Sequence, residues 1–548
     1  MTRSPRSPST ESTRLLEDSP PSYHSIDDSD DEPITPPSKY SRSDIIWILA
    51  GLWSAVFLGA FDGTVVATLL TDIGSDFNKL NQSSYIGTSY LLSVCCFTPL
   101  YGRLSDIMGR KGVLAHTYVG SGTIFCGLAP SMESLIAARA VAGMGGGGVM
   151  TVASVAVTDL IPLKQRGLYQ GMANILYGLG AGIGGPVGGW INDVFGWRSA
   201  FLFQTPILVF SFVLVALKVN IDLPQEIQNE PVREKLRRID FLGSLTLVGT
   251  VGCLLLGLSL KSTEELPWSS PLIWGLLAAS LIWGVAFIYV EKCWAPYPVM
   301  PLRLVTQRTP LAVSVANLLT SISAFSMLYN LPLYFSTVRL ESATNSGLHL
   351  LPHSVALSSG SVFAGWIMRR TGKLYTLTLV SAVFTIYSSL SIASWTPDTA
   401  DFHLWVDIIP QGFGMASLIT TTLIAMIAGV YKEDMAVATG ITYLFRTTGQ
   451  VLGERIQGPG SAQIIEQIRH STAIIPQLEP SLRRAAIDSY ADALRVVFIC
   501  QAAINFLGFI ACLPIQENAL PGSHEEQEEY YRSRSNHEWS DEGSMVEE

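Results

Sequence analysis

The chain has 548 residues, of which 48% are hydrophobic and only 15% charged, against about 25% charged in an ordinary soluble protein. The formal net charge of −10 lies mostly in two tails, residues 1–44 and 516–548, which are dense in Ser, Pro, Asp, Glu and Arg. The composition excludes a soluble globular protein, and the absence of a basic stretch excludes nucleic acid as a partner. The seven cysteines show no metal-type spacing and their number is odd; they read as small apolar packing residues, with neither disulfide nor metal.

Taken from the start, residues 1–44 form a disordered cytosolic tail. It carries an acidic dileucine pattern, Glu11-Ser12-Thr13-Arg14-Leu15-Leu16, and a tyrosine pattern, Tyr23-His24-Ser25-Ile26. Both are of the kind sorting adaptors read, and together they point to the vacuole or endosome. No short apolar stretch with a cleavage site precedes the first apolar run, so the first helix must itself direct insertion.

A bilayer-spanning helix needs about 20 mainly apolar residues. Such runs fall near 45–70, 84–102, 113–130, 134–158, 168–191, 199–220, 240–260, 271–291, 311–335, 345–367, 374–395, 403–430, 436–456 and 494–515. The expectation is an all-α membrane protein with fourteen transmembrane helices in the lipid bilayer. Lys and Arg collect after the even spans, as in Arg103, Arg110 and Lys111, then Lys164 and Arg166, then Arg369, Arg370 and Lys373. Basic loops stay cytosolic, so both tails face the cytosol. Asn81-Gln82-Ser83, the only N-x-S/T sequon, then faces the lumen. Asn81 sits close to the second span, and poor or no glycosylation is expected there.

Residues 102–111 and 365–373 echo each other. Each holds two glycines seven apart, Gly102 and Gly109, Gly365 and Gly372, with basic residues close to the second. A weak repeat of this kind is expected of a transporter built from two related halves. The halves are then 45–220 and 311–515, with two inserted spans in the linker 221–310 and an acidic tail over 516–548.

Gly102-Arg103-Leu104-Ser105-Asp106-Ile107-Met108-Gly109-Arg110-Lys111 resembles the loop signature of the major facilitator superfamily. The resemblance implies that superfamily's fold: two six-helix bundles plus two inserted helices. Gly102 permits close helix approach. Asp106, Arg110 and Lys111 form a charge cluster able to latch one half against the other. The run Gly185-Pro186-Val187-Gly188-Gly189 looks like the superfamily's antiporter motif, although dense small residues also serve plain helix packing. Leu58 to Thr68, with Asp62 inside, resembles the first-helix motif of the fourteen-span drug:proton antiporter family. Arg139 to Gly148 carries Ala142 where drug exporters usually carry Gln, and its glycine run looks more like the fungal vacuolar basic amino acid transporters. Tyr443 to Gly453 begins span 13 as that family does. Glu454-Arg455-Ile456-Gln457-Gly458-Pro459-Gly460 then departs from it, as a shortened helix or a mis-joined coding sequence.

An ionised Asp inside a membrane helix costs roughly 2.5–3.5 kcal/mol, so Asp62 needs a cavity or a partner, and Arg139 is the partner expected. The pair is either a structural ion pair or a site for a proton or a substrate ammonium. His349 and His353 stand four apart in span 10, on one face, with Pro352 between them; packed or solvated histidines near a helix end are the plainer reading. No nucleophile–base constellation, nucleotide loop or cofactor motif appears, and the chain is not read as an enzyme. The resemblance implies a proton-coupled antiporter for basic amino acids in the vacuolar membrane, or else a plasma-membrane exporter of drug-like cations or toxins. A non-transporting sensor of the same fold is the third possibility.

Overall fold

The computed structural model describes residues 41–79, 82–111, 113–114, 123–219, 234–235, 238–263, 266–341, 343–454, 480–523, 525–527 and 529–530. Every long element among them is an α-helix. In chain order they are α1 Arg42–Asp76, α2 Ser84–Met108, α3 Ile124–Gly127, α4 Met132–Leu160, α5 Leu163–Phe195, α6 Trp197–Leu202, α7 Thr205–Lys218, α8 Phe241–Thr263 and α9 Pro271–Cys293. They continue as α10 Leu302–Thr306, α11 Arg308–Thr337, α12 Ala343–Leu348, α13 Leu351–Thr371, α14 Tyr375–Ala393, α15 Asp401–Val406, α16 Ile409–Gly429, α17 Met435–Glu454 and α18 Pro480–Cys512.

Nine of the helical segments among the described residues are long and apolar enough to cross a membrane on those grounds alone. α2, α5, α13 and α17 are of comparable length but owe their lower hydropathy to glycine, hydroxyl and charged residues. Residues 115–122 of the expected third span lie outside the described residues, and α3 is its one helical element among those described. The sorting residues Glu11, Leu15 and Leu16, the sequon residue Asn81 and residues 455–460 also lie outside them.

Several helices differ from their expected form. Span 6 is broken into α6 and α7 at Phe203-Gln204, where Pro206 takes the first turn of the second piece, a position that tolerates its missing N–H. Span 10 does not hold His349. α12 ends at Leu348 and α13 starts at Leu351, with Pro352 in its first turn, so His349 lies in the connecting turn and only His353 is helical. α5 continues through Pro186 without interruption.

Helix contacts recur in a regular pattern. α1 packs on α5 and α7, and α2 on α4; correspondingly α11 packs on α17 and α18, and α13 on α16. Two further pairings, α5 with α13 and α2 with α17, join the first set to the second. α8 and α9 lie against each other, with α8 also touching α2. The repeat seen in the sequence has a backbone counterpart: Gly109 and Gly372 both have positive φ, +86° and +67°, where a side chain would be strained.

The two joining pairings close one end of the molecule. A methyl group on Gly365 would run into the Gly167 backbone, and one on Gly102 would sit 2.6 Å from the Ala436 carbonyl oxygen. Asn174 on α5 donates to Ser361 Oγ on α13 at 2.7 Å, and Ser361 shares a hydrogen bond with Thr420 on α16. Beyond Gly178, which faces Ser358, the glycines of α5 meet α1 rather than α13. Residues after α18 cover the closed end. The Lys164 amide donates to the Pro521 carbonyl at 3.1 Å, and the Leu374 amide to Glu517 at 2.6 Å.

Candidate functional site

α1 carries Asp62 and α4 carries Arg139, both buried. Arg139 donates through a terminal guanidinium nitrogen to Asp62 Oδ2 at 2.6 Å. Its Nε reaches the Ile86 carbonyl at 3.4 Å, and the guanidinium lies 4.3 Å from the Tyr90 ring centroid. A cation over an aromatic face gains electrostatic stabilisation, more so when desolvated. Arg139 is therefore held from three sides by α1 and α2. The glycines of α4 make that approach possible: methyl groups at Gly143 and Gly146 would collide with the Tyr90 carbonyl and its hydroxyl, the latter at 2.5 Å.

The second carboxylate oxygen of Asp62 has no hydrogen-bond partner among the described residues, and neither do Thr123 Oγ1 and Gln204 Oε1. All three residues line one small cavity of about 40 Å³, closed by apolar side chains such as Leu58, Val149 and Leu208. A water needs roughly 10–15 Å³ of such space and two to four polar partners. The cavity thus suits water molecules and excludes a solute the size of an amino acid. The free face of Asp62 is directed into the bundle of α1, α2, α4 and α7 and offers a place for a proton and its hydration.

The glycines expected of an antiporter, with Gly184 just before them, pack on the part of α1 that carries and follows Asp62. Gly184 meets Phe61 and Thr64, Gly188 meets Val65, and Gly185 and Gly189 meet Thr68. They bring α5 against α1 from Phe61 to Thr68, the turn at Asp62 and the one after it. Pro186 lies between them inside the helix.

At the closed end, Arg110 donates to Asp106 Oδ1 at 2.7 Å and through Nε to Asp159 Oδ2 at 2.8 Å. It also donates to Ser105 Oγ at 2.7 Å. The cluster therefore ties the end of α2 to the end of α4, and Gly102 beside it abuts α17. Lys111 is exposed and stands outside the network. At the opposite end, Asp76 accepts from the Trp197 indole at 3.0 Å and from Arg198 at 2.9 Å. These two donors hold its carboxyl below the ordinary range. A depressed carboxyl contributes its share of stability above its unfolded-state pKa and loses it as pH falls through the lowered one. Asp76 consequently stays ionised in a mildly acidified compartment.

Sequence reasoning did not single out Tyr90, Thr123, Gln204 or Asp159. Only Asp159 carried a signal, an acidic residue in the last turn of a span whose neighbouring loop is basic. His349 and His353 are both buried. His349 stacks on Phe335 at 3.9 Å between ring centroids and places Nε2 3.1 Å from Glu341 Oε2, so it packs at a helix end, far in sequence from the Asp62 pair.

This architecture has a known counterpart. Residues 52–454 match the family described as Major Facilitator Superfamily. The chain belongs to the major facilitator superfamily. The match ends at Glu454, the residue at which the sequence was expected to depart from the family pattern. Over 493 residues the transporter is 37% identical to "Multidrug resistance protein fnx1" of Schizosaccharomyces pombe, covering 86% of this chain and 92% of that protein. It is 32% identical over 440 residues to "Vacuolar basic amino acid transporter 1" of Saccharomyces cerevisiae, covering 74% and 76% respectively. Among solved structures it shares its fold with the human organic anion transporter MFSD10, at a TM-score of 0.58 and 14% identity, covering 85% of this chain and 99% of that one. It is a multi-pass membrane transporter.

Proposed function

We propose that this transporter exchanges protons for basic amino acids and loads them into the vacuole, with Asp62 as the proton site. The observation that supports it most is the buried Asp62–Arg139 pair with one free carboxylate oxygen on a water-sized cavity. Protonation of Asp62 removes its charge and releases Arg139 from an ionic contact. Two arrangements of one buried pair are what a coupled carrier requires, because binding one ligand must expel the other. In this reading 45–220 and 311–515 are the moving halves and α8 and α9 lie between them. Both termini are cytosolic, and the closed end, with Asp106 and Arg110, is the cytosolic one. The names of two relatives, "Vacuolar basic amino acid transporter 1" and "Vacuolar basic amino acid transporter 2" of Saccharomyces cerevisiae, support the substrate and the membrane.

A second reading, a plasma-membrane exporter of drug-like cations, draws support from the 37% identity to "Multidrug resistance protein fnx1". Uptake of labelled lysine into isolated vacuoles separates the two. The vacuolar reading expects uptake that requires a lumen acidified by the proton pump and collapses with a protonophore. Uptake indifferent to the protonophore, or none, removes proton-driven vacuolar import.

Sorting gives an independent prediction. Leu15→Ala with Leu16→Ala is expected to move a fluorescent fusion from the vacuolar rim to the cell surface, with Glu11 contributing the acidic part of the signal. Fluorescence that stays on the vacuolar rim would leave the dileucine pattern without a role.

A further inference from the structure

An α-helix leaves its first N–H groups without acceptors, and two helix starts at the closed end find theirs in one place. α5 begins at Leu163 after Pro162, and α14 begins at Tyr375 after Leu374; neither preceding side chain makes a capping bond. The chain that leaves α18 supplies both caps. Glu517 accepts from the Leu374 amide at 2.6 Å and from the Tyr375 amide at 3.3 Å. Four residues on, the Pro521 carbonyl accepts from the Lys164 amide at 3.1 Å. α14 packs on α16 and α18 in the second helix set, whereas α5 belongs to the first. One short stretch therefore caps a helix on each side of the junction between the sets.

The stretch is seated mainly on the second set. Arg308 Nε donates to the Pro514 carbonyl at 2.9 Å, and the Tyr375 hydroxyl to the Leu513 carbonyl at 3.1 Å. The Gln516 amide donates to Thr309 Oγ1 at 3.2 Å. Ile515 and Leu520 are buried in the apolar core of that set. Beyond them the Glu526 amide donates to Ser523 Oγ at 3.1 Å and the Gly522 amide to Glu526 Oε2 at 2.9 Å, a reciprocal cap. The chain is helical at residues 525–527 and 529–530, and Tyr530 packs on the same core. Towards α5 the stretch offers the Lys164 hydrogen bond and the apolar cluster that Leu520 shares with Leu163, the one first-set residue in that core among those described. A methyl group on Gly522 would lie 3.6 Å from the Lys164 side chain.

We propose that residues 513–530 are a strap that holds this end shut, staying with the second set and letting go of α5 when the end opens. In a carrier of two helix sets, access alternates as one set rocks against the other. Opening here draws α5 away from α13. At most about 14 Å of chain joins the two caps, too little slack to keep both. The Glu517 cap is charge-assisted and serves two amides, and such bonds are roughly twice as strong as neutral ones. The Pro521 cap is neutral and serves one amide, so it is the one that yields. By favouring closure at this end, the strap sets the share of molecules open at the other. It acts whatever the solute and whichever face of the membrane this end meets.

Spin labels on Lys111→Cys and Arg370→Cys, both exposed positions, report the separation of the two sets at this end. The sample is the purified full chain in proteoliposomes, without solute or gradient, with the cysteines that are not buried, Cys253, Cys293 and Cys500, replaced by Ser. Lys164→Pro removes the donor in a first helical turn, where proline is tolerated. It should raise the ratio of long to short distances about two- to tenfold, the effect of one hydrogen bond. Lys164→Ala keeps the donor and should leave the ratio unchanged. Leu520→Ala should move the ratio in the same direction as Lys164→Pro, and it decides alone if proline disrupts α5. A ratio unmoved by both Lys164→Pro and Leu520→Ala, or moved as far by Lys164→Ala as by Lys164→Pro, overturns the strap.

Discussion

Asp62→Asn is expected to reduce proton-driven uptake to the rate seen without a gradient, while the protein still reaches its membrane. The substitution preserves shape and removes the one carboxylate lining the buried cavity. Its amide oxygen can still accept from Arg139, which also keeps the Ile86 carbonyl and the Tyr90 face. What it loses is the compensating charge. Stranding one member of a buried pair costs about 3–5 kcal/mol, so lower abundance is expected beside the loss of coupling. Adding Arg139→Gln gives a neutral amide pair and should restore abundance without restoring uptake. Recovery of both would show that the pair is a structural brace and that the proton travels elsewhere. The decisive measurement is lysine uptake normalised to protein, taken with a pH-sensitive dye in the same vesicles.

Gly365→Ala should have an effect of similar size by a different route. The added methyl meets the main chain of Gly167 and Leu168, which cannot swing aside as a side chain can. Overpacking of this kind costs about 1–3 kcal/mol, enough to shift a two-state equilibrium about 5–150-fold. The closed arrangement of α5 against α13 should become the minor one and turnover should fall. Asn174 and Ser361, in hydrogen-bond contact at 2.7 Å, provide the reporter. Asn174→Cys with Ser361→Cys should cross-link readily in an otherwise unaltered chain and poorly once Gly365→Ala is added. Equal cross-linking in both backgrounds would mean that the contact yields locally and does not govern closure.

Much of the architecture was legible because the bilayer leaves the backbone few choices. With no water to satisfy N–H and C=O groups, an apolar run of sufficient length must be a helix. Asp62 and Arg139 were legible for the same reason, since two opposite charges placed deep in membrane helices need each other. What the sequence did not reveal concerns groups that are not costly in isolation. Tyr90 looks like any half-apolar aromatic residue until its ring is seen beneath Arg139. Thr123 and Gln204 look like ordinary polar residues until they share a cavity with Asp62. The break in span 6 at Phe203-Gln204 was masked by continuous hydropathy. His349 was misplaced because four-residue spacing suggests a shared helical face, whereas Pro352 begins a new helix after it.

The same glycines that let helices touch also decide how the molecule can move. Gly143 rests on the Tyr90 carbonyl, Gly180 on that of Phe57 and Gly449 on that of Leu318. Backbone seated on backbone has no side chain to compress or re-pack, so each helix set behaves as a stiff beam rather than a cushion. α5, with 33 residues, is about 50 Å long at 1.5 Å per residue. A beam of that length gears motion: a tilt of a few degrees about a fulcrum near its middle moves each tip by about 2 Å, while groups at the fulcrum hardly shift. Asp62 stands on the stretch of α1 that this glycine face touches, near the fulcrum, with its pocket on the side away from α5, and can therefore keep that pocket intact while the far ends swing.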